Sequence, residues 1–371
     1  MRFERGAGTS SSPEKRSDEV FMARALELAK LGLGQTAPNP MVGAVLVNNG
    51  EVVSEGHHAR AGEAHAEVVA IKAAGDRARG ATLYVNLEPC NHHGQTPPCT
   101  DAILAARVRR VVAAVEDPNP LAHGGADGLR SSGVIVDFGV LADEARELNA
   151  PFLASFTLNR PWVTLKLAIS LDGAIADAER TRGWLTGALA RAEVQRLRAA
   201  HDAVAIGIAT AIADDPLLTA RLDPPPRVQP VRVVFDRHAR LSANSVLART
   251  AREVPTILIT TRTARLPADL AKAGVEAIRA RGLDDALSKL KARGITSLLV
   301  EGGAGLAASF LGEGRVDRLV IFQAPIVFGA GSLNAFSGVA SHDLAHAPRF
   351  HAIRTERFGD DVMTIYSPAP L

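Results

Sequence analysis

Residues 88–102 read EPCNHHGQTPPCTDA, and residues 65–70 read HAEVVA. The chain has 2 cysteines, and both Cys90 and Cys99 fall in this one loop, among prolines and histidines. Zinc prefers thiolate and imidazole ligands, and a catalytic zinc keeps one of its four positions open for water. His65, Cys90 and Cys99 supply three such donors, the count of a catalytic site. His65 and Cys99 each stand at the expected start of a helix, where the partial positive charge of the terminus favours thiolate over thiol. Glu67, two residues beyond His65, can face that water without binding metal, take a proton from it and return it to a leaving amine. H-x-E followed by P-C-x-x-C is the pattern of nucleobase deaminases. Here eight residues, 91–98, separate the cysteines instead of two. Two competing readings of the loop are a Cys90–Cys99 disulfide and a structural zinc completed by His92 or His93.

Outward from this loop, helical and strand periods alternate, the mark of an α/β fold. Ser17-Asp18 is a plausible N-cap for a helix over 18–34. Two β-rich runs follow around Asn48-Asn49-Gly50, where Asn-Gly signals a hairpin. Next come a helix over 65–75, a strand over 81–89, the cysteine loop, a helix over 100–106 and a strand over 109–117. After a Gly-rich loop, His123 to Gly128, the pattern gives a strand over 134–139 and one helix over 141–156. Pro161 marks a boundary, because proline disfavours helix at the residue before it. Beyond it, strands over 163–170, 202–209, 231–236, 256–260, 297–303 and 319–327 alternate with helices, which predicts a mainly parallel sheet. The ending, 350–368, reads as two strands joined at Gly359-Asp360-Asp361, an antiparallel edge. The expected division is a disordered leader over 1–17, a first domain over 18–159 and a second over 160–371.

The bulk composition is that of a globular protein: 371 residues, 47% hydrophobic and 22% charged. With 42 basic and 40 acidic side chains the net charge is +2, which argues against a nucleic-acid binder with a broad phosphate-neutralising surface. No apolar run approaches the ~20 residues of a membrane span, and the leader lacks the apolar core of a secretory signal. Two cysteines in so long a chain point to a reducing, cytoplasmic compartment.

The second half carries no G-x-G-x-x-G after its first strand, so a standard dinucleotide fold is unsupported. Residues 298–310, LLVEGGAGLAASF, instead run strand, Gly-rich turn, helix, and the helix start can offer N–H groups to a phosphate. Lys166 lies mid-strand among apolar residues, an expensive position unless it meets an anion. Asp214-Asp215-Pro216 reads as a helix-ending turn, with a paired-Asp metal site as the sharper alternative.

TAPNPMVGAVLV (36–47), HHARAGEAHAEV (57–68), EPCNHHGQTPPC (88–99) and EDPNP (116–120) resemble the deaminase half of the bifunctional riboflavin-biosynthesis deaminase-reductases. The longer cysteine spacing looks like that family's own form. LKLAISLDG (165–173), AIGIATAIADDPLLTAR (205–221) and the 298–310 stretch resemble its reductase half. The resemblance implies a cytidine-deaminase-like α/β/α domain holding one Zn2+ and a dihydrofolate-reductase-like α/β domain using NADPH. It implies that Asn39, His58, His92, Asp117 and Asn119 line the pyrimidine and ribose-phosphate pocket. It also implies that Ala168, Trp184, Thr210, Asp214 and the turn of Gly303, Ala304, Gly305, Leu306, Ala307, Ala308 and Ser309 border the cofactor. Lys166, Arg182, Arg198, Leu218, Arg221 and Glu301 would hold the sugar-phosphate substrate. Arg182 stands where the family has a small hydroxyl residue before the Trp, and Arg237 where a small polar residue is expected.

The implied substrate is a small pyrimidine ribosyl phosphate, with neither nucleic acid nor membrane involved; a homo-oligomer stays open. A zinc deaminase of another nucleotide or base is one rival, but a flipped base would need a basic, aromatic-rich groove, and aromatics are 4% of the chain. A non-catalytic nucleotide-binding protein with a retained zinc is another. An intact Glu67 argues against it, since a structural site needs no proton shuttle.

Overall fold

Asn49 and Gly50 both take positive φ, 52° and 82°, the conformation of a tight hairpin turn whose twist matches its strands. They join β1 (Gly43–Asn48) to β2 (Glu51–His57), which pair antiparallel. The computed structural model describes residues 13–94 and 96–369, and the chain divides between Phe156 and Thr157 into two units. In the first, β3 (Thr82–Val85), β4 (Arg110–Ala113) and β5 (Ile135–Phe138) complete a sheet of order β2-β1-β3-β4-β5. The last three strands are parallel to one another.

Both faces of this sheet are covered, so its central strands read as unbroken apolar runs rather than alternating ones. Ala44, Leu46, Leu83, Val85, Val111 and Ala113 pack on one side, beneath α2 (Ala66–Ala74), α3 (Cys99–Ala105) and α4 (Gly125–Ser131). Val45, Val47, Tyr84, Val112 and Ala114 pack on the other, against α1 (Pro13–Ala29), α5 (Ala142–Leu148) and α6 (Ala150–Ala154). Helix α2 lies close on β2 because Gly56 has no side chain: a Cβ there would sit 2.5 Å from the Ala66 carbonyl.

Three local expectations need correction. The first helix is already formed at Pro13, ahead of Ser17-Asp18; residues 13–17 are therefore helical, while 1–12 of the expected leader lie outside the described residues. Asp18 is a helix-to-sheet tie instead of a cap: its carboxylate accepts from Tyr84 Oη at 2.6 Å and from the Arg110 guanidinium at 3.0 and 2.9 Å. The expected Gly-rich loop at 123–128 contains the start of α4. The expected single helix over 141–156 breaks at Asn149, whose φ of −110° leaves the helical range. Pro151, with no N–H to donate, follows in the first turn of α6, where its loss is tolerated.

The second unit is built on nine strands. β6 (Trp162–Ile169), β8 (Ala203–Gly207), β9 (Val231–Phe235), β10 (Thr256–Thr260), β11 (Glu276–Arg279), β12 (Ser297–Glu301) and β13 (Arg318–Gln323) run parallel. β15 (Phe350–Phe358) and β16 (Asp361–Pro368) add an antiparallel hairpin, as the sequence pattern predicts. The order is β11-β10-β9-β8-β12-β6-β13-β16-β15; β7 (Ala174–Ala176) and β14 (Leu333–Asn334) pair separately. The apolar run at 202–209 is two elements, since the strand stops at Gly207 and α8 (Ile208–Asp214) begins at once. Helices α7 (Ala188–Ala199), α9 (Val246–Arg249), α10 (Ala268–Ala273), α11 (Leu283–Lys291) and α12 (Ala304–Gly312) complete the unit. Leu287 and Phe310 pack on one sheet face, Leu247 and Leu270 on the other.

His201 ties α7 to β6. Its Nδ1 lies 2.7 Å from the Leu197 carbonyl, so that nitrogen carries the proton, and Nε2 accepts from the Thr164 hydroxyl at 2.8 Å. Burial pushes the imidazole pKa down to about 4 from 6.5. Between those values the unfolded chain takes up a proton that the folded unit refuses, so stability falls as pH falls through this window, by at most about 3 kcal/mol. Both tryptophans, Trp162 and Trp184, belong to this unit, so tryptophan-detected urea unfolding reads it selectively. His201→Gln is expected to be less stable at pH 7 and to show a flatter pH dependence between pH 6.5 and 4.

Candidate active sites

The metal donors come from three different places in the first unit. His65 is the extended residue that precedes α2, with φ −70° and ψ 158°. Cys99 opens α3 directly after Pro98. Cys90 lies in the turn after β3 and accepts the Cys99 N–H at 3.4 Å. His65 Nδ1 stands 3.2 Å from Cys99 Sγ and 3.5 Å from Cys90 Sγ, and the three donor atoms lie within 4.8 Å of one another. A tetrahedral zinc, with Zn–N of about 2.0 Å and Zn–S of about 2.3 Å, spaces its nitrogen and sulfur ligands about 3.5 Å apart. The donor set therefore fits zinc in both type and spacing.

Both cysteines are buried free thiols, so the disulfide reading fails. His92 and His93 stay outside the donor group, so the four-ligand structural site finds no fourth member among the described residues. Without a cation the two sulfurs compete for one proton. Hydrogen bonding from Cys99 and His65 holds the Cys90 thiol down to about 4, and the Cys90 contact together with burial drives Cys99 well above the ordinary thiol value. Glu67 is 3% exposed, and burial raises its pKa while the nearby His65 opposes the rise. A carboxyl group so placed can hold a proton as well as release one, as a shuttle must.

These groups open onto a cavity of about 290 Å³. Asn39, His58, His92, Asp117 and Asn119 all line it, beside His65, Glu67 and Cys90. His58 rather than His57 is the buried member of its pair, 2% exposed, with its ring nitrogens 3.1 Å from Asn39 Nδ2 and 3.2 Å from the Ala64 carbonyl. His92 Nδ1 is buried with no hydrogen-bond partner among the described residues, an arrangement that suits a ligand. Burial raises the Asp117 carboxyl to about 6.

Sequence reasoning missed two residues that set the wall carrying Asn39. Asn149, at the α5–α6 break, accepts the Met41 N–H and donates to the Met41 carbonyl, both at 2.9 Å. Asn86 donates to the same carbonyl at 2.9 Å and accepts the Gly43 N–H at 2.8 Å. Their one sequence signal was asparagine inside otherwise apolar surroundings.

In the second unit the candidate residues gather where the connections diverge. From β8 the chain passes through α8 to β9, while from β12 it passes through α12 to β13 on the opposite side, and β8 and β12 are neighbours. Ligands of open α/β sheets bind at such a switch point, outside the strand C-termini. Gly207 and Gly303 precede α8 and α12 with no side-chain cap on either helix. Thr210 and Gly303 nearly touch, since a Cβ at Gly303 would lie 3.1 Å from Thr210 Oγ1. Gly305 and Ser309 are exposed and Ala308 is half-buried, whereas Ala304 and Ala307 turn into the core and leave only backbone for a cofactor. Leu306 packs against the core as well. Trp184 is 75% exposed, with the Arg191 guanidinium 5.3 Å from its ring centroid, so it is not a core aromatic. Ala168 borders the cluster of Val320, Phe322 and Met363.

The anion that Lys166 requires is Glu301, its register partner across β6 and β12. Arg198 grips the same carboxylate with Nε at 2.5 Å and Nη2 at 2.9 Å, and donates to the Thr219 carbonyl. Arg198 is thus the buried ion-pair partner of Glu301, while Arg221 is exposed. Burial lowers the Lys166 pKa, opposed by Glu301, and the Glu301 pKa is held down against burial by Arg198 and Lys166. Leu218 is 2% exposed with φ of 53°, so only its backbone can meet a ligand. Arg182 donates to the Asp214 carbonyl, and Arg237 is exposed. Asp215 accepts from Val246 N at 2.8 Å, and the Asp214-Asp215 pair joins no third donor among the described residues, so a metal there is not supported.

Residues 15–115 match the cytidine and deoxycytidylate deaminase zinc-binding region, and residues 161–364 match the RibD C-terminal domain. The riboflavin biosynthesis protein RibD of Aquifex aeolicus is 42% identical over 94% of this chain and 98% of its own. That of Escherichia coli is 40% identical over 93% and 98%. Among solved structures, Acinetobacter baumannii RibD gives a TM-score of 0.85 at 37% identity, covering 96% of this chain and 100% of its own. The Thermotoga maritima diaminohydroxyphosphoribosylaminopyrimidine deaminase/5-amino-6-(5-phosphoribosylamino)uracil reductase gives 0.85 at 37% identity over the same shares.

The donor geometry predicts one tightly held zinc per chain. Cys90→Ala or Cys99→Ala should weaken zinc binding by more than the ~10–100-fold that loss of an outer partner costs, while Glu67→Gln keeps it. Metal analysis after dialysis against graded chelator concentrations separates the two outcomes.

Proposed function

The chain belongs to the RibD family of bifunctional deaminase-reductases of riboflavin biosynthesis, and from that premise we propose what each site does. The first unit deaminates 2,5-diamino-6-ribosylamino-4-pyrimidinone 5'-phosphate, and the second reduces the ribosyl side chain of the product to ribityl. The observation that carries the first half is the buried Glu67 lining one cavity with His65 and Cys90, which cluster with Cys99 as a metal-donor set.

Zinc held by His65, Cys90 and Cys99 supplies Lewis acidity toward the attacking water. Glu67 takes a proton from that water as oxygen adds to the amine-bearing ring carbon. It then delivers the proton to the departing nitrogen, and ammonia leaves with the carbonyl formed. The raised pKa of Glu67 suits this return step. Asn39, His58, His92, Asp117 and Asn119, which line the same cavity, are suited to hold the ring and its ribosyl phosphate.

NADPH, when bound in the second unit, would supply hydride to C1' of the ring-opened imine form of the ribosyl group, with a proton taken up at the attached nitrogen. The helix starts at Gly207 and Gly303 offer N–H groups to its phosphates. Lys166 and Glu301, side by side on adjacent strands, are placed to bind sugar hydroxyls, with Arg198 fixing the Glu301 carboxylate. Arg221 is the exposed cation suited to the substrate phosphate. Two free thiols support a cytoplasmic setting, and among the described residues no helix is long and apolar enough to cross a membrane.

Zinc-loaded enzyme given the pyrimidine substrate should release ammonia without NADPH and oxidise NADPH once it is added. Neither signal, with one zinc bound per chain, would overturn the assignment. Glu67→Gln should lower ammonia release by about 1000-fold and leave NADPH oxidation on the deaminated substrate intact. Lys166→Met should do the reverse.

A further inference from the structure

Glu88 lies between β3 and the ligand Cys90, is 6% exposed, and lines the cavity beside Asp117 and Asn119. Its carboxylate is committed to backbone from two other segments. Oε2 accepts the Asp117 N–H at 3.1 Å and Oε1 accepts the Ala126 N–H, in the first turn of α4, at 2.9 Å. Its own N–H donates to the Val115 carbonyl at 2.9 Å. Around it the fit is close: a Cβ on Gly125 would lie 1.9 Å from the Pro89 carbonyl. Asn91 N–H donates to the Ala122 carbonyl at 3.1 Å, and Asp117 Oδ1 accepts the Asn119 N–H at 2.9 Å.

The residues at positions 86, 88 and 90 divide the work of this short segment. Asn86 grips the lip that carries Asn39, Cys90 faces the metal donors, and Glu88 grips the lip that carries Asp117 and Asn119. A buried carboxylate accepting two N–H groups is a strong, directional tie, because charge-assisted bonds are about twice as strong as neutral ones and leaving a buried donor unpaired is costly. We propose that Glu88 is a positioning residue for the deamination: it holds the Asp117–Asn119 wall in register with Cys90, so that substrate bound by that wall presents its ring carbon to Glu67. The inference rests on the deaminase reading of the cavity.

Glu88→Gln keeps the shape of the side chain but can offer an acceptor to only one of the two N–H groups, and Glu88→Ala offers neither. The expected result is a graded rise in the KM for the pyrimidine ribosyl phosphate, about tenfold or more in the first variant and larger in the second. The kcat should stay within about threefold, with one zinc retained per chain. Amide hydrogen exchange over 114–128 should quicken in both variants while the β1 and β3 amides stay protected. NADPH oxidation with the deaminated substrate serves as the internal control and should not move. Unchanged KM in both variants would overturn the proposal. So would loss of zinc, or exchange that rises throughout the first unit, since Glu88 would then support the metal or the whole fold instead of one wall. Ammonia release by the unaltered enzyme tests the cavity reading independently of either variant.

Discussion

A charge taken out of water costs several kcal/mol unless an opposite charge or a set of donors replaces the lost solvent, and both units place their chemistry under that constraint. In the first, two sulfurs and a carboxyl group share a buried wall with one imidazole. The competition of Cys90 and Cys99 for a single proton is relieved when a cation takes both as thiolates. In the second, the Glu301 carboxylate pairs with buried Arg198 and stands in register with Lys166 on the next strand.

The architecture around these sets follows from covering both faces of each sheet. Continuous apolar strands leave little room for polar side chains inside the sheet, so most candidate side chains come from strand ends and helix starts; Lys166, mid-strand in β6 and in register with Glu301, is the exception. His65 precedes α2, Cys99 opens α3, and Glu301 ends β12 just before the turn into α12. The same rule places Thr210 and Gly303 together, because β8 and β12 are parallel neighbours whose connections part in opposite directions. The chemistry links the two halves: deamination changes one ring substituent and leaves the ribosyl phosphate whole for the reduction.

Features encoded locally were legible before the structure. The hairpin at Asn49-Gly50, the three metal donors and the antiparallel ending all rest on short-range signals of backbone preference or ligand chemistry. Long-range ties were not. Met41 and Asn149 are 108 positions apart, and nothing in either neighbourhood announces the pairing. Lys166 was read as a cation in need of an anion, yet that anion depends on β6 lying next to β12, a fact of topology. Asp18 was misplaced as a cap because the N-terminal signal at Ser17 is genuine chemistry that the helix simply runs through from Pro13. Helix α4 was missed because its four-residue start, GADG, has weak helical propensity, and the Glu88 carboxylate that accepts its Ala126 N–H comes from a distant segment.

The measurement that tests the catalytic zinc site most directly is X-ray absorption at the zinc edge of the loaded protein. A centre built by His65, Cys90 and Cys99 gives two sulfur scatterers at about 2.3 Å and two nitrogen or oxygen scatterers at about 2.0 Å, with the outer-shell signature of a single imidazole. A second imidazole, or four protein donors with no exchangeable light atom, would mean a closed structural zinc and would contradict the catalytic account.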